Sequence, residues 1–501
     1  MNDGLTGMAG SLMQSGRNRR RRSHSTKAQE FDERDRALSR LPLNDLGNAE
    51  RLMHRFGGQV AHTKEHGWIA WDGRRWNVDD GEVIARKLAQ RTAAHLKREA
   101  AAYQADPNAD RDRIDAFRRF VLASGNSNRI GGMLREAEPD ARCELASLDA
   151  RADLLTVANG TLDLAAEGEL KLLPFDPAHR ITRIAPTDFA GLDILATHFQ
   201  AFLAECLPDA EERLFLQRWC GYCLTSHIGE QVLMCLYGLG ANGKSTFLEI
   251  VRRVLGAWAM TLKFQSIMPD ARSGGSAPTP DLARLPGARL VTAAEPNSQA
   301  ILDEGLIKQQ TGGEPILARR LNREFFEFRP THKLILSFNN KPHVRAVDEG
   351  TWRRILMLHW RVQIPLSRRD PRLAETIVVE ESSGVLAWML VGHAMWREEG
   401  LNPPATVLEA TREYRRENDP LGDWIECHLR SAPNAREPAG RLYEHYKQWT
   451  EQNAREAVSA NRFGRLMTAK GYRKLKSDGT NRYLDVVLED VRPNDASDPS
   501  R

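Results

Sequence analysis

Residues 231–251 read Gln-Val-Leu-Met-Cys-Leu-Tyr-Gly-Leu-Gly-Ala-Asn-Gly-Lys-Ser-Thr-Phe-Leu-Glu-Ile-Val, and this stretch decides the fold. The uncharged apolar run Val232–Tyr237 predicts a buried strand. Directly after it, Gly238–Ser245 has the spacing G-x-x-x-x-G-K-[ST]. Apolar residues then recur at helical spacing, which predicts a helix. Strand, glycine-rich loop and helix in this order predict an α/β domain with a phosphate-binding loop, and this context argues against an ordinary glycine-rich turn.

The chemistry of such a loop follows from its residues. Glycines allow positive φ, so successive backbone N–H groups point inward and, with the helix N-terminus, hold a triphosphate. Lys244 is expected to reach the β- and γ-phosphates, and the Ser245 hydroxyl to bind Mg²⁺. The predicted ligands are therefore ATP and Mg²⁺. The predicted nucleotide contacts are Gly238, Gly240, Ala241, Asn242, Gly243, Lys244, Ser245 and Thr246.

Bulk properties narrow the class of protein. A chain of 501 residues has room for about three domains. The net charge of +4 is too small to indicate a nucleic-acid binder, so local charge must carry that argument. Neither a membrane span nor a signal peptide is predicted, and the expected compartment is reducing cytoplasm. The lone pair Cys220-Gly-Tyr-Cys223 could be a redox pair or half a zinc site, but its apolar surroundings favour two buried thiols.

Two further buried strands are predicted downstream of the loop, and each ends in a polar side chain. Arg289–Glu295 ends in a carboxylate that, with Ser245, could organise Mg²⁺ and polarise the attacking water. Lys333–Asn339 ends in an amide that could orient the water or contact the γ-phosphate, although an ordinary Asn turn before Pro342 would look the same.

Basic residues mark two further candidate sites in this region. Ile316–Phe328 predicts two strands around a cationic tip, which could contact DNA phosphates or be a solvated turn. Arg353 and Arg354 precede a strand that begins at Ile355, and an arginine presented to a neighbouring subunit's γ-phosphate would stabilise transition-state charge. The predicted DNA contacts of the hairpin tip are Arg319, Arg320, Asn322 and Arg323.

The two ends of the chain also carry basic residues. Residues 1–40 predict a disordered basic tail that either grips phosphates or is merely solvated. Near residue 70 a tryptophan-rich hairpin is predicted, whose rings are expected in a core rather than stacked on bases. Residues 421–490 predict three helices and a basic hairpin, which describe a winged helix that could bind DNA or protein. Its predicted DNA contacts are Arg462, Arg465, Lys474 and Lys476.

The order of these motifs resembles the superfamily 3 helicases of the phage and plasmid primase–helicase kind, which are related to the poxvirus-type primase–helicase. The resemblance covers about residues 44–490 and includes Trp71-Asp-Gly-Arg-Arg-Trp76 in the upstream module. The motifs that carry it are Gly238–Ser245, Glu295, Lys308 with Thr311-Gly-Gly, Asn339-x-x-Pro342 and Trp352-Arg-Arg.

The resemblance implies an AAA+ core, homo-oligomeric hexameric rings, ATP hydrolysis between subunits and movement on single-stranded or forked DNA. Glu295 would be the catalytic acid, Asn339 the γ-phosphate sensor, and Arg354 or Arg353 the finger. Lys308 and the hairpin tip would be nearest the DNA. Ala294 stands where many of these proteins have a second acid, so Mg²⁺ could rest on Ser245 and water, and the role of Glu295 stays open.

The predicted fold class is therefore α/β: an AAA+ P-loop helicase core with an α+β N-terminal module and a C-terminal winged helix. The expected function is an ATP-dependent replicative DNA helicase of a phage or plasmid-like element, working in the cytoplasm of a bacterial host without membrane contact. An ATP-dependent origin-binding initiator or loader is the alternative. No primase activity is expected, although a separate primase or polymerase could dock. The predicted divisions are tail 1–40, module 41–190, helical collar 191–230, core 231–365, helical extension 366–420, winged helix 421–490 and tail 491–501.

Overall fold

The computed structural model describes residues 32–166, 170–264, 279–294, 301–302, 304–321, 323–344, 348–477 and 479–489. Most of the predicted basic tail and the predicted tail at 491–501 lie outside the described residues. The chain forms two compact units. One contains the described residues up to Arg55 together with Ala89–Glu136, and the other contains Phe56–Leu88 and the described residues from Ala137 onward.

The elements before residue 190 are helices and two three-stranded antiparallel sheets, of order β1-β2-β3 and β4-β5-β6. In chain order they are α1 (Glu33–Leu38), α2 (Asp45–Phe56), β1 (Val60–Thr63), β2 (Gly67–Trp71), β3 (Trp76–Asn77), α3 (Gly81–Gln104), α4 (Arg111–Ser124), α5 (Ser127–Ala137), β4 (Leu154–Val157), β5 (Gly160–Asp163) and β6 (Lys171–Leu173). Trp68 and Trp76 are buried, which confirms their expected place in a core.

The first unit is held together by a buried ionic network. Arg51 contacts Glu99 at 2.7 Å, and Arg55 contacts Asp35 at 2.6 Å and Glu99 at 2.8 Å, with little of either arginine exposed. Asp35 lies on α1, whose first turn is capped by Asp32. The prediction that residues 1–40 are disordered is therefore wrong for Glu33–Leu38, because the carboxylate of Asp35 holds this segment against a buried cation.

The second unit contains a five-stranded parallel sheet. The elements from residue 197 to 359 are α6 (Thr197–Cys206), α7 (Ala210–Tyr222), β7 (Leu233–Tyr237), α8 (Lys244–Leu255), β8 (Ala259–Lys263), β9 (Leu290–Ala294), β10 (Ile301–Leu302), α9 (Glu304–Thr311), β11 (Ile316–Arg319), β12 (Phe325–Phe328), β13 (Lys333–Phe338), β14 (His343–Val344), α10 (Glu349–Trp352) and β15 (Ile355–His359). The sheet has the order β15-β7-β13-β9-β8. Strands β7 and β13 are buried throughout, as is typical of central parallel strands covered on both faces.

Two buried cations lie where β9 and β13 begin. The guanidinium of Arg289 donates to the carbonyl oxygens of Leu224 and of Leu154, the latter at 2.5 Å. The ammonium of Lys333 donates to the carbonyl oxygens of Thr225 and of His227, the latter at 3.2 Å. Burial lowers the pKa of Arg289 to about 9 and that of Lys333 to about 7. The sheet is thus tied to residues 154–227 through charged hydrogen bonds.

Helix α11 (Leu373–Glu399) packs closely on α7, and each helix has a glycine where the two backbones meet. A Cβ atom on Gly221 would lie 2.0 Å from the backbone nitrogen of His393, and one on Gly392 would lie 2.0 Å from the carbonyl oxygen of Gln217. Cys220 and Cys223 are both buried and free, and burial raises the pKa of each thiol. This confirms the prediction of two buried thiols.

The remaining elements are α12 (Ala405–Glu417), α13 (Gly422–His428), β16 (Leu429–Pro438), α14 (Ala439–Gln452), α15 (Ala460–Ala469), β17 (Lys474–Ser477) and β18 (Thr480–Leu488). The last three strands form an antiparallel sheet of order β16-β18-β17 around a core that includes Trp424, Tyr446 and Phe463. Strand β16 was not predicted from the sequence, and its register shifts between Ser431 and Arg436. Across the described part of the chain, no helix has both the length and the apolar character to cross a membrane.

Candidate nucleotide site and nucleic-acid interface

The glycine loop joins β7 to α8 at the carboxyl edge of the parallel sheet. Its backbone has positive φ at Gly238 (146°), Ala241 (63°) and Gly243 (86°). Gly243 also lies against α6, because a Cβ atom there would meet the Cys206 sulfur at 2.4 Å and the Phe202 ring at 2.9 Å. Glycine is therefore required at Gly243 both by its backbone angle and by the space available.

The segment after β15 fastens this loop. The carbonyl oxygen of Trp360 accepts from the Asn242 side chain at 2.9 Å, and the backbone nitrogen of Ile364 donates to the carbonyl oxygen of Ala241 at 2.8 Å. A Cβ atom on Gly238 would lie 2.2 Å from the same Trp360 oxygen. These contacts help to hold the loop in shape.

The predicted phosphate lysine and sensor amide lie side by side. Lys244 is buried, and its ammonium donates to the carbonyl oxygen of Gly238 at 2.6 Å, to Asn242 Oδ1 at 3.0 Å and to Asn339 Oδ1 at 3.3 Å. Asn339 follows β13, the neighbour of β7 in the sheet. All three of these acceptors are uncharged oxygens.

A cavity of about 290 Å³ opens beside this pair. It is lined by Gly240, Ala241, Asn242, Gly243, Lys244, Ser245, Thr246, Ala294, Ser337, Phe338 and Asn339. Ser245 is exposed to it, and a hydroxyl is a suitable oxygen ligand for Mg²⁺. Glu295, the predicted acid, lies outside the described residues, although its neighbour Ala294 lines the cavity. The described residues contain no group of three or more His, Cys, Asp or Glu side chains arranged to hold a metal.

The two candidate finger arginines lie between α10 and β15, and neither lines that cavity. The amide oxygen of Gln231 accepts from Arg353 Nη2 at 3.4 Å and from Arg354 Nη2 at 3.3 Å. Arg354 Nη1 also donates to the carbonyl oxygen of Gly350 at 2.5 Å. Burial lowers the pKa of Arg354. Sequence reasoning missed Gln231, because nothing in its local pattern distinguishes it from any other residue before a strand.

Lys308 lies near these arginines and not on the basic hairpin. Its ammonium is 3.0 Å from Asp348 Oδ1, and Asp348 also accepts from the backbone nitrogen of Thr351 at 3.1 Å to cap α10. Burial would raise the pKa of Asp348, but the hydrogen bonds from Lys308 and Thr351 hold it below its usual value. The ammonium of Lys308 is therefore occupied by a carboxylate.

The hairpin β11–β12 carries the other predicted DNA contacts of this region. The guanidinium of Arg319 lies 5.0 Å from the centre of the Phe325 ring, and its Nε donates to the carbonyl oxygen of Arg323 at 3.0 Å. Arg320 is half-buried, and its Nη2 lies 3.1 Å from His66 Nδ1. Asn322 lies outside the described residues. The tip of the hairpin is therefore partly packed on the β1–β2 turn. A freely solvated tip was one of the two expectations from the sequence.

The elements from α13 to β18, residues 422–488, are called the C-terminal unit below. The four DNA contacts predicted for it lie on α15 and β17. Arg465, Lys474 and Lys476 are exposed, and Arg462 is half-buried. The ammonium of Lys474 would lie 3.9 Å from a Cβ atom on Gly464, so Lys474 of β17 lies beside α15.

Two sequence families match the chain. The family described as D5 N terminal like matches residues 49–208, and the Family of unknown function (DUF5906) matches residues 236–354. A protein of Acanthamoeba polyphaga mimivirus, provisionally named a helicase, is 26% identical over 430 residues, which are 80% of this chain and 45% of that protein. A protein of African swine fever virus, provisionally named a primase, is 23% identical over 344 residues, which are 64% of this chain and 36% of that protein.

The chain spans less than half the length of either viral relative. Among solved structures, the apo C-terminal region of NrS-1 aligns over 89% of this chain and 99% of that chain, with a TM-score of 0.45 and 11% identity. The D5 N terminal like match and the viral relatives show that the chain is similar to D5-like primase–helicases.

Proposed function

We propose that this chain is the ATP-hydrolysing motor of a DNA helicase that acts in the replication of viral or mobile-element DNA. The observation that carries the proposal is the position of Lys244. Its ammonium is buried beneath a glycine loop with positive φ and contacts Asn339 beside an open cavity. An anion with several phosphate groups fits this arrangement, because the loop amides, the start of α8 and the lysine all favour negative charge there.

The sheet supports the assignment to the AAA+ class of P-loop proteins. In open parallel sheets, ligands bind in a crevice outside the carboxyl ends of the strands. The crevice forms where the order of the strands in the sheet reverses direction. Strand β7 has β15 on one side and β13 on the other, and the loop follows β7 directly. With ATP bound, Ser245 would hold Mg²⁺, which neutralises charge on the phosphates. Asn339 would orient the attacking water, and Lys244 would exchange a neutral oxygen for a phosphate.

A homo-oligomeric ring, which we take to be a hexamer, would explain why the two candidate finger arginines do not line the cavity of their own chain. Arg353 and Arg354 both donate to Gln231, and neither lines the cavity of its own chain. A neighbouring subunit that docks against them would receive one of them at its γ-phosphate, where it would stabilise the charge of the transition state.

DNA would be contacted by the hairpin β11–β12 and by the C-terminal unit. Three helices and a three-stranded sheet with exposed basic groups on α15 and β17 suit a winged helix on a duplex. The same unit favours the second candidate function, an ATP-dependent origin-binding initiator or loader. The absence of priming activity stays a prediction.

Strand separation and ATP hydrolysis, measured on forked DNA, test the proposal. We expect Lys244→Ala to abolish both, because no other buried cation lies at the described cavity wall. Arg320→Ala combined with Arg323→Ala should abolish strand separation while ATP hydrolysis persists. Lys87→Ala, at an exposed lysine, is the matched control. If the wild-type chain hydrolyses ATP but never separates strands, the loader function replaces the helicase; if Lys244→Ala hydrolyses ATP normally, both fail.

A further inference from the structure

A second and larger cavity, of about 510 Å³, lies between the β1–β2 turn, the residues around the start of β8 and the tip of the hairpin β11–β12. It shares no lining residue with the glycine-loop cavity. Four arginines and two aspartates line it: Arg75, Arg183, Arg284, Arg320, Asp79 and Asp149. Cationic side chains therefore outnumber carboxylates in its wall.

Arg183 hydrogen-bonds to the backbone of two segments in the wall of this cavity. It donates to the carbonyl oxygens of Ala257 at 2.5 Å, Arg284 at 2.8 Å and Pro286 at 2.6 Å. Carbonyl oxygens satisfy its hydrogen bonds without cancelling its charge. The nearby Asp149 accepts from Thr182 through both the backbone nitrogen, at 2.8 Å, and the hydroxyl, at 2.5 Å. Burial raises the pKa of Asp149, and the neighbouring charge of Arg183 opposes that shift.

Arg320 brings a second cation whose protein partner is uncharged. Its Nη2 lies 3.1 Å from His66 Nδ1. Burial, together with the charges of Arg320 and Arg183, lowers the pKa of His66 to about 4, so the ring is neutral near pH 7 and accepts from the guanidinium. An arginine bonded to a neutral ring keeps its full charge for another ligand.

Arg284 and Asp79 stand at the exposed rim. Both are exposed, and among the described residues neither side chain has a hydrogen bond or ion pair to a protein group. Arg75 is more constrained, because it lies 3.7 Å from Asp72 Oδ2 and donates to the carbonyl oxygen of Thr182 at 3.0 Å. Arg284 is therefore the cation that can change most freely without disturbing the fold.

We propose that this cavity is a second phosphate-binding site, distinct from the glycine loop. Planar guanidinium groups match the geometry of phosphate oxygens, and four of them around one cavity favour phosphate over a single carboxylate. The volume lies within the usual range for small-ligand sites, so one or two nucleotide units fit. The phosphate belongs either to the backbone of a DNA strand or to a free nucleotide. The proposal rests on the proposed function only in its choice of nucleic acid and nucleotide as sources.

The test uses the full chain and two substitutions of opposite sign. Arg284→Gln removes a rim cation and Asp79→Asn removes a rim anion, while Arg142→Gln, at an arginine 77% exposed that pairs with Glu144, is the matched control. A labelled single-stranded oligonucleotide is titrated without ATP, and a labelled ATP analogue is titrated in the Lys244→Ala background. Melting temperatures confirm that each variant folds. No step requires ATP hydrolysis, so the result is independent of whether the motor proposal holds.

If DNA supplies the phosphate, Arg284→Gln should weaken oligonucleotide binding roughly tenfold and reduce the log–log salt slope by about one. Asp79→Asn should strengthen binding about threefold, since it removes repulsion of a phosphate. If a free nucleotide is the source, the same opposite shifts should appear with the ATP analogue and not with DNA. Binding of both ligands that is unchanged in both variants would overturn the proposal, as would equal losses in Arg142→Gln.

Discussion

Arg354 Nη2 lies 3.3 Å from the amide oxygen of Gln231, so the candidate finger is positioned by a residue that lies two positions before β7. Gln231 itself has a φ of 53°, a left-handed conformation. Because Arg353 donates to the same oxygen, one amide sets the direction of both arginines. The cation that would complete a neighbour's site is therefore mechanically linked to the strand that carries its own glycine loop.

Gln231→Asn tests this link. Asn tolerates the left-handed conformation, but its shorter side chain cannot reach either guanidinium. We expect ATP hydrolysis to fall about tenfold, because a misplaced finger loses transition-state contacts, while nucleotide affinity stays unchanged. Phosphate release and equilibrium nucleotide binding provide the two measurements. Gln200→Asn, at an exposed glutamine of α6, should hydrolyse ATP at the wild-type rate. If Gln231→Asn also hydrolyses ATP at the wild-type rate, Gln231 does not position the finger.

Asn339→Ala should slow hydrolysis by about 10- to 100-fold with little change in nucleotide affinity, since the amide would act on the attacking water and not on the bound ground state. Asn340→Ala is the natural control, because this neighbouring exposed amide does not line the cavity. Single-turnover hydrolysis separates the two effects. Equal losses in both variants would show that the strand end, and not the Asn339 amide, matters.

Gly243→Ala should destabilise the chain by about 2 kcal/mol or more, because a positive φ and a clash with Cys206 coincide there. Gly240→Ala should leave the melting temperature nearly unchanged, since nothing lies within 4 Å of a Cβ atom at that position. Differential scanning calorimetry of the two variants makes the comparison within one loop. Similar melting temperatures would contradict the packing described for Gly243.

His332 should make stability depend on pH. Its ring is buried, lies 2.8 Å from Gln310 Oε1, and has its pKa lowered to about 3 by burial and by the charge of Lys333. Below its ordinary pKa of about 6.5, the unfolded chain binds a proton that the folded chain refuses. The free energy of unfolding therefore falls as the pH drops toward 3, by up to about 1.4 kcal/mol per pH unit.

His332→Gln should flatten this dependence, measured as melting temperature between about pH 6.5 and about pH 4.5. His343→Gln, at an exposed histidine, should keep the wild-type slope. A wild-type slope in His332→Gln would mean that other groups cause the pH dependence.

Arg465→Ala combined with Lys476→Ala should weaken duplex binding and reduce its log–log salt slope by about two, as expected for two lost phosphate contacts. Arg430→Ala, at an exposed arginine of β16 that pairs with Glu489, serves as the control in the same unit. Fluorescence anisotropy over a series of salt concentrations provides the measurement. If duplex affinity is unaffected, the C-terminal unit binds protein instead.

Local patterns predicted the elements that bound the nucleotide site. The apolar runs of β7, β9 and β13 and the helix after the loop all lie where their periodicity placed them. Strand β8 was missed, because Ala259–Lys263 alternates buried and exposed residues and lacks a continuous apolar run. Strand β16 was missed because its ten residues include two prolines and an irregular register.

Contacts between distant segments could not be predicted in the same way. The pairing of Arg320 with His66 joins residues 254 positions apart, and nothing near either one indicates the other. The order of the sheet, with β8 at its edge, likewise depends on long-range pairing. Sequence located the residues of the candidate site, whereas the partners that orient Arg354 and Lys308 emerged only from the fold.

The carbonyl oxygens that receive Arg289 and Lys333 have a practical consequence. Four of these carbonyl oxygens precede β7, the strand that leads into the glycine loop. They belong to Leu154, Leu224, Thr225 and His227. A recombinant fragment starting at Gln231 would lose these four acceptors, and Lys333 would keep only its 3.5 Å contact with the carbonyl oxygen of Thr331 among the described residues. The face of the sheet that these segments cover, with both cations, would then be open to water. The smallest autonomous fragment that retains the parallel sheet should therefore begin no later than Leu154.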